Sequence, residues 1–173
     1  RVLIVDDVAE TRENVRKLLQ FEGDVEVVGA ARSGREGIQQ SFELDPDVVL
    51  MDIAMPDLNG IDATQIVTRK APETKVIILS VHSDSEHVYR AFQAGATGYL
   101  LKESAGAEVV EAVRAAKQGI RYVSQKIADA QNLRRDKRSP FESLSARERE
   151  VLERIAAGDE DAEDDVPQED QPQ

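Results

Sequence analysis

Short apolar runs alternate with longer amphipathic segments along the first 119 residues of the chain. The apolar runs are VLIVD, VEVVG, VVLMD, VIILS and GYLLK, which begin at Val2, Val25, Val48, Val76 and Gly98. Between them, apolar residues recur three or four positions apart, which indicates amphipathic helices. Alternating strands and helices are typical of parallel β-α-β units, and strands that are apolar throughout predict a sheet covered by helices on both faces. We therefore predict five such units and one domain in residues 1–119.

The rest of the chain changes character twice. Residues 120–143 become polar and basic towards their end, and we interpret them as a short helix followed by a linker. Residues 144–158, LSAREREVLERIAAG, have the pattern of a single helix, with a capping box formed by Ser145 and Glu148 and a glycine at the end. Residues 159–173 hold eight acidic residues and no basic ones. Such a segment has too little apolar surface to fold, so we expect it to be disordered.

Composition excludes several classes of protein. The sequence contains no cysteine, which excludes disulfides and thiolate chemistry. No apolar run approaches the about 18–20 residues that cross a bilayer, and the start RVLIVDD lacks the layout of a signal peptide. We therefore expect a cytoplasmic protein with no membrane contact. Most of the net charge of −12 lies in the last fifteen residues, so the remainder carries no electrostatic sign of nucleic-acid binding.

Polar residues follow the predicted strands at the points where the strands end. Asp6 and Asp7 follow the first strand, and Asp52 ends the third. If these two strands are neighbours, three carboxylates meet at one edge of the sheet, where ligands bind in open parallel sheets. Oxygen ligands without cysteine or histidine favour a hard divalent cation, and we predict Mg²⁺. Ser80 ends the fourth strand and Lys102 the fifth, which adds a hydroxyl and a cation to the same edge.

This set of groups suits chemistry on a phosphoryl group. A carboxylate can attack phosphorus to form an acyl phosphate if a metal, a lysine and hydrogen-bond donors neutralise the charge on the phosphoryl oxygens. The segment VVLMDIAMPDLNG, residues 48–60, fits this role, because a buried strand would hold Asp52 rigidly and the loop after it would keep the pocket open. We interpret Asn59 and Gly60 in that loop as turn residues.

At these positions the chain resembles the receiver domains of two-component response regulators. The resemblance covers residues 1–119 and rests on the Asp6-Asp7 pair, Asp52 in MDIAMPDLNG, Ser80 in ILSVH and Lys102 in GYLLK. It implies a flavodoxin-like (CheY-like) α/β fold with a five-stranded parallel sheet in the order 2-1-3-4-5 and helices on both faces. It also implies a phosphoacceptor signalling switch rather than an enzyme, with a sensor histidine kinase as the phosphoryl donor.

The resemblance implies a role for each acidic residue. Asp52 would be the phosphoacceptor. Asp7 and Asp52 would bind Mg²⁺ together with the main-chain carbonyl of Ile53, and Asp6 would assist through a water molecule.

The resemblance also implies a conformational switch. Ser80 and Lys102 would hold the phosphoryl oxygens, and Tyr99 would swing inward as Ser80 moves. The face formed by the fourth helix, the fifth strand and the fifth helix would then change a contact with a partner or a second copy of the chain. Ala54 lies two residues after Asp52, and its small side chain leaves room for water, so we predict a transient phosphorylation.

Residues 144–158 resemble the first helix of the LuxR-type helix-turn-helix of the NarL/FixJ subclass. The resemblance stops there, before a recognition helix, and the acidic tail would repel phosphates, so we do not expect this chain to bind DNA. The residual helix is a second candidate for a dimer contact, because its apolar stripe needs a partner. Three explanations of the tail stay open: an engineered or frameshifted truncation, a natural regulator that lost its DNA-binding helices, or an extension that folds onto the basic linker.

Other interpretations also stay open. The chain could be a transcription regulator whose missing helices come from a dimer partner or from further sequence. A metal-dependent phosphatase would carry a second acid where this sequence has Ala54. A strand-terminal Asp is often only a cap, and Tyr99 could be ordinary core packing. His82 and His87 have no metal-ligand partners at a suitable spacing, and we interpret them as surface residues.

Overall fold

The computed structural model describes residues 1–137 of the chain. The strands are β1 (Val2–Val5), β2 (Val27–Ala31), β3 (Val48–Asp52), β4 (Lys75–Ser80), β5 (Gly98–Leu101) and β6 (Tyr122–Val123). The helices are α1 (Ala9–Gln20), α2 (Gly34–Leu44), α3 (Gly60–Lys70), α4 (Ser85–Gln93), α5 (Ala105–Lys117) and α6 (Gln125–Lys137), with a 3₁₀ turn at Lys102–Ser104.

The chain divides into two compact units. The first spans Arg1–Gln125 and contains the whole sheet, and the second begins at Lys126, within α6. The helix predicted at residues 144–158 and the acidic tail at 159–173 lie outside the described residues, so the domain limits after the first unit stay predictions. None of the helices in the described part of the chain is long and apolar enough to span a membrane.

The strands form one parallel sheet in the order β2-β1-β3-β4-β5-β6. The predicted flavodoxin-like order 2-1-3-4-5 is therefore confirmed, with one strand more than predicted. Some strand limits also differ from the predicted runs. Strand β2 spans Val27–Ala31 rather than residues 25–29, β4 begins one residue earlier, at Lys75, and β5 ends at Leu101, so that Lys102 is the first residue of the 3₁₀ turn.

The additional strand β6 has only two residues and pairs with the outer edge of β5. Tyr122 N donates a hydrogen bond to the Thr97 carbonyl at 3.2 Å, and Ser124 N donates to the Tyr99 carbonyl at 3.0 Å. The buried Ser124 hydroxyl also accepts a hydrogen bond from Leu101 N at 2.9 Å. These contacts extend the sheet past the predicted limit at residue 119.

The sheet is buried on both faces, as its continuous apolar strands predict. On one face, Ile4, Leu50 and Leu79 are completely buried in a core shared with α1 and α5. On the other face, α2 lies so close to β1 that a Cβ on Gly37 would contact the Val5 side chain. Each fully buried aliphatic side chain stabilises the fold by about 1.5–3 kcal/mol. The carboxyl ends of the strands are therefore held in place by a close-packed core.

The loop after β3 ends in a capped helix that lies directly against the backbone of Asp52. Asn59 Oδ1 accepts hydrogen bonds from Ile61 N at 2.8 Å and Asp62 N at 3.0 Å, so it is the N-cap of α3. The two residues predicted to form a turn therefore begin a helix, with Gly60 as its first residue. Gly60 N donates to the Ile53 carbonyl at 2.9 Å. A Cβ on Gly60 would overlap the Asp52 carbonyl oxygen.

Replacing Gly60 with Ala is therefore expected to lower the free energy of unfolding by about 1–3 kcal/mol, because the added methyl group must displace a buried backbone segment. Urea denaturation measures this change. Gly106→Ala is the matched control, since Gly106 is exposed in α5 and a Cβ there has no neighbour within 4 Å. The control is expected to be neutral or to stabilise by about 0.5–1 kcal/mol. Equal effects of the two substitutions would contradict a tight contact at Gly60.

Candidate functional site

Three carboxylates meet where β1 and β3 end. These strands are direct neighbours, with Val5 paired to Met51, so Asp6 and Asp52 follow on at the same edge of the sheet. One carboxylate oxygen from each of Asp6, Asp7 and Asp52 lies within 4.8 Å of the others. Asp6 and Asp52 are buried, whereas Asp7 is exposed. The structure thus brings together the acidic residues that the sequence places at this edge, in a pocket open to solvent at Asp7.

Lys102 extends from the end of β5 and forms ion pairs with both buried acids. Its Nζ lies 3.1 Å from Asp6 Oδ2 and 3.3 Å from Asp52 Oδ1. Two further hydrogen bonds hold Asp6 in place: the Arg12 side chain donates from Nη1 to the Asp6 carbonyl at 2.6 Å, and the Val8 backbone N donates to Asp6 Oδ1 at 2.9 Å. Nothing in the sequence around Arg12 and Val8 signals these supporting contacts.

The pocket raises the pKa values of both Asp52 and Lys102. Burial raises the pKa of Asp52 to about 7, and the charge of Asp6 adds to the rise while Lys102 opposes it. Burial acts to lower the pKa of Lys102, but the charges of Asp52 and Asp6 outweigh it and raise that pKa above the usual value. Lys102 therefore stays charged, and a further positive charge in the pocket would favour the ionised form of Asp52.

Two carboxylate oxygens in the pocket lack hydrogen bonds. Asp52 Oδ2 is buried and has no hydrogen-bond partner among the described residues. Asp6 Oδ2 also accepts no hydrogen bond from the described residues, although the Lys102 ammonium lies 3.1 Å away. Buried charged oxygens are costly unless a cation or a donor meets them. The unpartnered Asp52 Oδ2 and the all-oxygen ligand set fit a hard divalent cation such as Mg²⁺.

The predicted contribution of Ile53 to metal binding does not fit the hydrogen bonds of its carbonyl. The Ile53 oxygen accepts from Gly60 N at 2.9 Å and from Met55 N at 3.1 Å, which occupies both of its acceptor positions. The next residue, Ala54, is exposed, and its carbonyl receives no backbone hydrogen bond from the described residues. The Ala54 carbonyl is therefore available to a cation, whereas the Ile53 carbonyl is not.

Ser80 and Tyr99 bond to the same residue, His82. His82 N donates to Ser80 Oγ at 2.9 Å, and the Tyr99 hydroxyl donates to the His82 carbonyl at 2.8 Å. Both side chains are buried, and burial raises the pKa of Tyr99. The structure thus links the two predicted switch residues, one in β4 and one in β5, to the same residue of the loop after β4. Sequence reasoning missed the backbone of His82, because main-chain contacts leave no trace in residue type.

The prediction that the two histidines have no ligand partners is wrong. The rings of His82 and His87 stack with centroids 4.0 Å apart, and His87 Nδ1 lies 2.8 Å from both carboxylate oxygens of Asp84. The three side chains form a second group with metal-ligand spacing in the described part of the chain. The loop between β4 and α4 brings them together, which a count of spacings along the sequence does not reveal.

Comparison with known proteins identifies the family. Residues 2–114 match the model of the response regulator receiver domain. The transcriptional regulatory protein LiaR of Bacillus subtilis is 40% identical, over 91% of this chain and 77% of LiaR. The response regulator protein VraR of Staphylococcus aureus is 36% identical, over 91% of this chain and 76% of VraR.

Solved structures agree with this assignment. A LuxR-family two-component response regulator from Aurantimonas sp. is 34% identical with a TM-score of 0.74, over 79% of this chain and 97% of that structure. The receiver domain of NarL from Mycobacterium tuberculosis is 37% identical with a TM-score of 0.66, over 69% of this chain and 96% of that structure. The chain therefore belongs to the receiver-domain family of two-component response regulators, in the NarL/FixJ subclass with LuxR-type relatives.

Proposed function

We propose that this chain accepts a phosphoryl group on Asp52 from a sensor histidine kinase and acts as a cytoplasmic signalling switch. The observation that carries the proposal is the state of Asp52 at the end of β3. It is buried, it contacts Lys102 at 3.3 Å, and its second oxygen has no hydrogen-bond partner among the described residues. A rigid carboxylate with one free oxygen beside a fixed cation is suited to attack on phosphorus.

Each side chain of the pocket has a separate role in the phosphoryl transfer. A free oxygen of Asp52 attacks the phosphorus of a phosphohistidine, the P–N bond breaks, and the leaving imidazole takes up a proton. Lys102 neutralises charge on the phosphoryl oxygens, and the Ser80 hydroxyl, at the end of the neighbouring strand, donates to one of them. Burial of Asp52 limits the access of water to the acyl phosphate. The small side chain of Ala54 leaves some room for water to reach the acyl phosphate, so we expect the phosphorylation to be transient.

Mg²⁺ would be held by Asp7 and Asp52, with Asp6 acting through water. The carbonyl of Ala54 completes this set better than that of Ile53, whose acceptor positions are filled. When bound, the ion would supply positive charge to the phosphoryl oxygens. It would also relieve repulsion among the three carboxylates, which favours the ionised Asp52 needed for attack.

The switch would run through the loop after β4. A phosphoryl group on Asp52 would draw the Ser80 hydroxyl away from His82 N and so free His82 to move, and the carbonyl of His82 accepts the hydrogen bond from Tyr99. We propose that the face formed by α4, β5 and α5 transmits this change to a partner or to a second copy of the chain. Tyr89 and Phe92 lie partly exposed in α4 on this path, whereas Tyr99 is fully buried.

A second candidate function is DNA-binding transcription regulation. It is favoured by the name of LiaR, a transcriptional regulatory protein that matches 91% of this chain. The resemblance to a helix-turn-helix ends at residue 158, before a recognition helix, and the acidic tail opposes DNA binding. A gel shift with promoter DNA at moderate salt separates the two functions, since specific binding would favour the second.

The experiment that tests the main proposal is the intact mass of the protein after incubation with acetyl phosphate and Mg²⁺. We expect one added phosphoryl group, about 80 Da, which is lost when EDTA replaces Mg²⁺. A folded protein that gains no mass under these conditions would contradict the proposal. Turnover of a phosphate ester without a stable adduct would instead favour a phosphatase.

Mg²⁺ is expected to stabilise the unphosphorylated protein. Binding to the folded state alone raises the free energy of unfolding by about 2.7 kcal/mol at a hundredfold excess over Kd. Thermal unfolding with MgCl₂, compared with NaCl at equal ionic strength, measures this effect. Asp7→Asn should remove most of the stabilisation, because Asp7 is exposed and its loss leaves the core intact. An unchanged response in Asp7→Asn would place the ion elsewhere.

A further inference from the structure

A second group of possible metal ligands lies on the loop between β4 and α4. It consists of His82, Asp84 and His87, and one ligand atom from each lies within 4.8 Å of the others. The His82 and His87 rings are stacked at 4.0 Å with an angle of 9° between their planes. The Asp84 carboxylate lies 2.8 Å from His87 Nδ1. Two imidazoles and one carboxylate are thus gathered at the surface, outside the acidic pocket.

The chemistry of this group differs from that of the acidic pocket. Imidazole nitrogen is a preferred ligand of Zn²⁺, Cu²⁺ and Ni²⁺, whereas Mg²⁺ prefers oxygen. A site with two histidines and one carboxylate is a common zinc ligand set that leaves a position open for water. The two groups of ligands in this domain would therefore select different ions.

The backbone under the three side chains is already fixed. Asp84 is the N-cap of α4 and accepts a hydrogen bond from His87 N at 3.1 Å. His82 is held by its hydrogen bonds to Ser80 and Tyr99. Nitrogen and oxygen ligands of one zinc ion, each about 2.0–2.2 Å away, lie at most about 4.4 Å apart. The three ligand atoms, within 4.8 Å of one another, must therefore come slightly closer, and the stacked rings must turn until a nitrogen of each faces the same ion.

We propose that His82, Asp84 and His87 bind a divalent transition-metal ion, with Zn²⁺ as the representative, and that the bound ion changes the phosphorylation of Asp52. The second part rests on the proposed function. Its basis is His82, whose N–H donates to Ser80 and whose carbonyl accepts from Tyr99. An ion that holds the His82 side chain would therefore restrict the loop after β4, which the proposed switch requires to move. Reciprocal linkage then requires that phosphorylation changes the affinity for the ion.

The metal site is tested by calorimetric titration of the full chain with Zn²⁺, in the presence of millimolar Mg²⁺ to occupy the acidic pocket. The sequence contains two histidines and no cysteine, so histidine-dependent binding can arise at this site alone. We expect one Zn²⁺ per chain, and an affinity lowered at least about tenfold by His87→Gln, His82→Gln or Asp84→Asn. Asparagine keeps the helix cap, and Glu86→Gln removes an exposed acid of the same turn as a matched control.

Two outcomes would overturn the metal site. One is the absence of zinc binding by the wild-type protein. The other is equal binding by the wild type and by the double variant His82→Gln, His87→Gln, which would place the ion on carboxylates alone. Histidine ring signals in NMR spectra give an independent readout, since both should shift or broaden together when Zn²⁺ is added.

The coupling is tested separately by the initial rate of phosphorylation with acetyl phosphate at constant Mg²⁺. We expect zinc to change this rate by about fivefold or more in the wild type and to leave the double histidine variant unaffected. Equal responses in both proteins would overturn the coupling, because the effect would then come from the acidic pocket. The zinc titration uses no phosphodonor, so failure of the metal site and failure of Asp52 phosphorylation are read independently.

Discussion

Replacing Asp52 with Asn is expected to abolish phosphorylation of the chain. The amide carries no negative charge, and its oxygen is a much weaker nucleophile than a carboxylate oxygen, so no acyl phosphate should form at this position. After incubation with acetyl phosphate and Mg²⁺, the intact mass of Asp52→Asn should stay unchanged while the wild type gains one phosphoryl group. The expected effect is a complete loss, and it is the largest that any single substitution should produce.

This loss should not be a consequence of unfolding. Burial raises the pKa of Asp52 to about 7, which means that the folded pocket destabilises the ionised carboxylate. The uncharged Asn removes this penalty at pH values above about 7, where Asp52 is ionised in both the folded and the unfolded chain. Thermal unfolding at pH 8 should therefore show Asp52→Asn to be at least as stable as the wild type without Mg²⁺.

Asp62→Asn is the matched control for Asp52→Asn. Asp62 is an exposed acid in the first turn of α3, ten residues further along the chain and outside the three-carboxylate pocket. The same replacement of a carboxylate by an amide at Asp62 should leave phosphorylation of the protein at the wild-type level. Retained phosphorylation in Asp52→Asn, or a loss in Asp62→Asn, would contradict the assignment of Asp52.

The main sheet and the acidic pocket could be predicted from the sequence because both depend on strong local signals. Continuous apolar runs such as Val48–Asp52 specify buried parallel strands, and polar residues at their ends then share one edge of the sheet. The order of the first five strands came from the family resemblance, and the structure confirms it.

The features that sequence reasoning missed depend on contacts between distant residues. Strand β6 has only two residues, too few for a periodic pattern, and it pairs with the otherwise open edge of β5. The Ile53 carbonyl is unavailable to a metal ion because Gly60 N and Met55 N donate hydrogen bonds to it, and only the folded loop brings these groups together. The approach of His82 and His87 requires the bend between β4 and α4. None of these has a periodic or compositional signature.

The second large effect is expected for Lys102→Met. Lys102 contacts both buried acids, at 3.1 Å from Asp6 and 3.3 Å from Asp52, so it is placed to meet the phosphoryl oxygens as they approach Asp52. Methionine has a similar length but no charge. Removing one fixed electrostatic group from a buried reaction centre typically lowers the rate by about 10²–10³-fold, and we expect this loss in the initial rate of phosphorylation by acetyl phosphate.

The comparison of Lys102→Met with Lys117→Met separates this local effect from a general loss of charge. Lys117 also forms an ion pair, at 3.1 Å from Asp47, but Asp47 immediately precedes β3 and so lies at the opposite edge of the sheet. Lys117→Met should therefore phosphorylate at the wild-type rate. Lys102→Arg keeps the positive charge with a different shape and should retain more activity than Lys102→Met. Equal rates in Lys102→Met and the wild type would show that the charge of Lys102 balances the buried acids without taking part in the transfer.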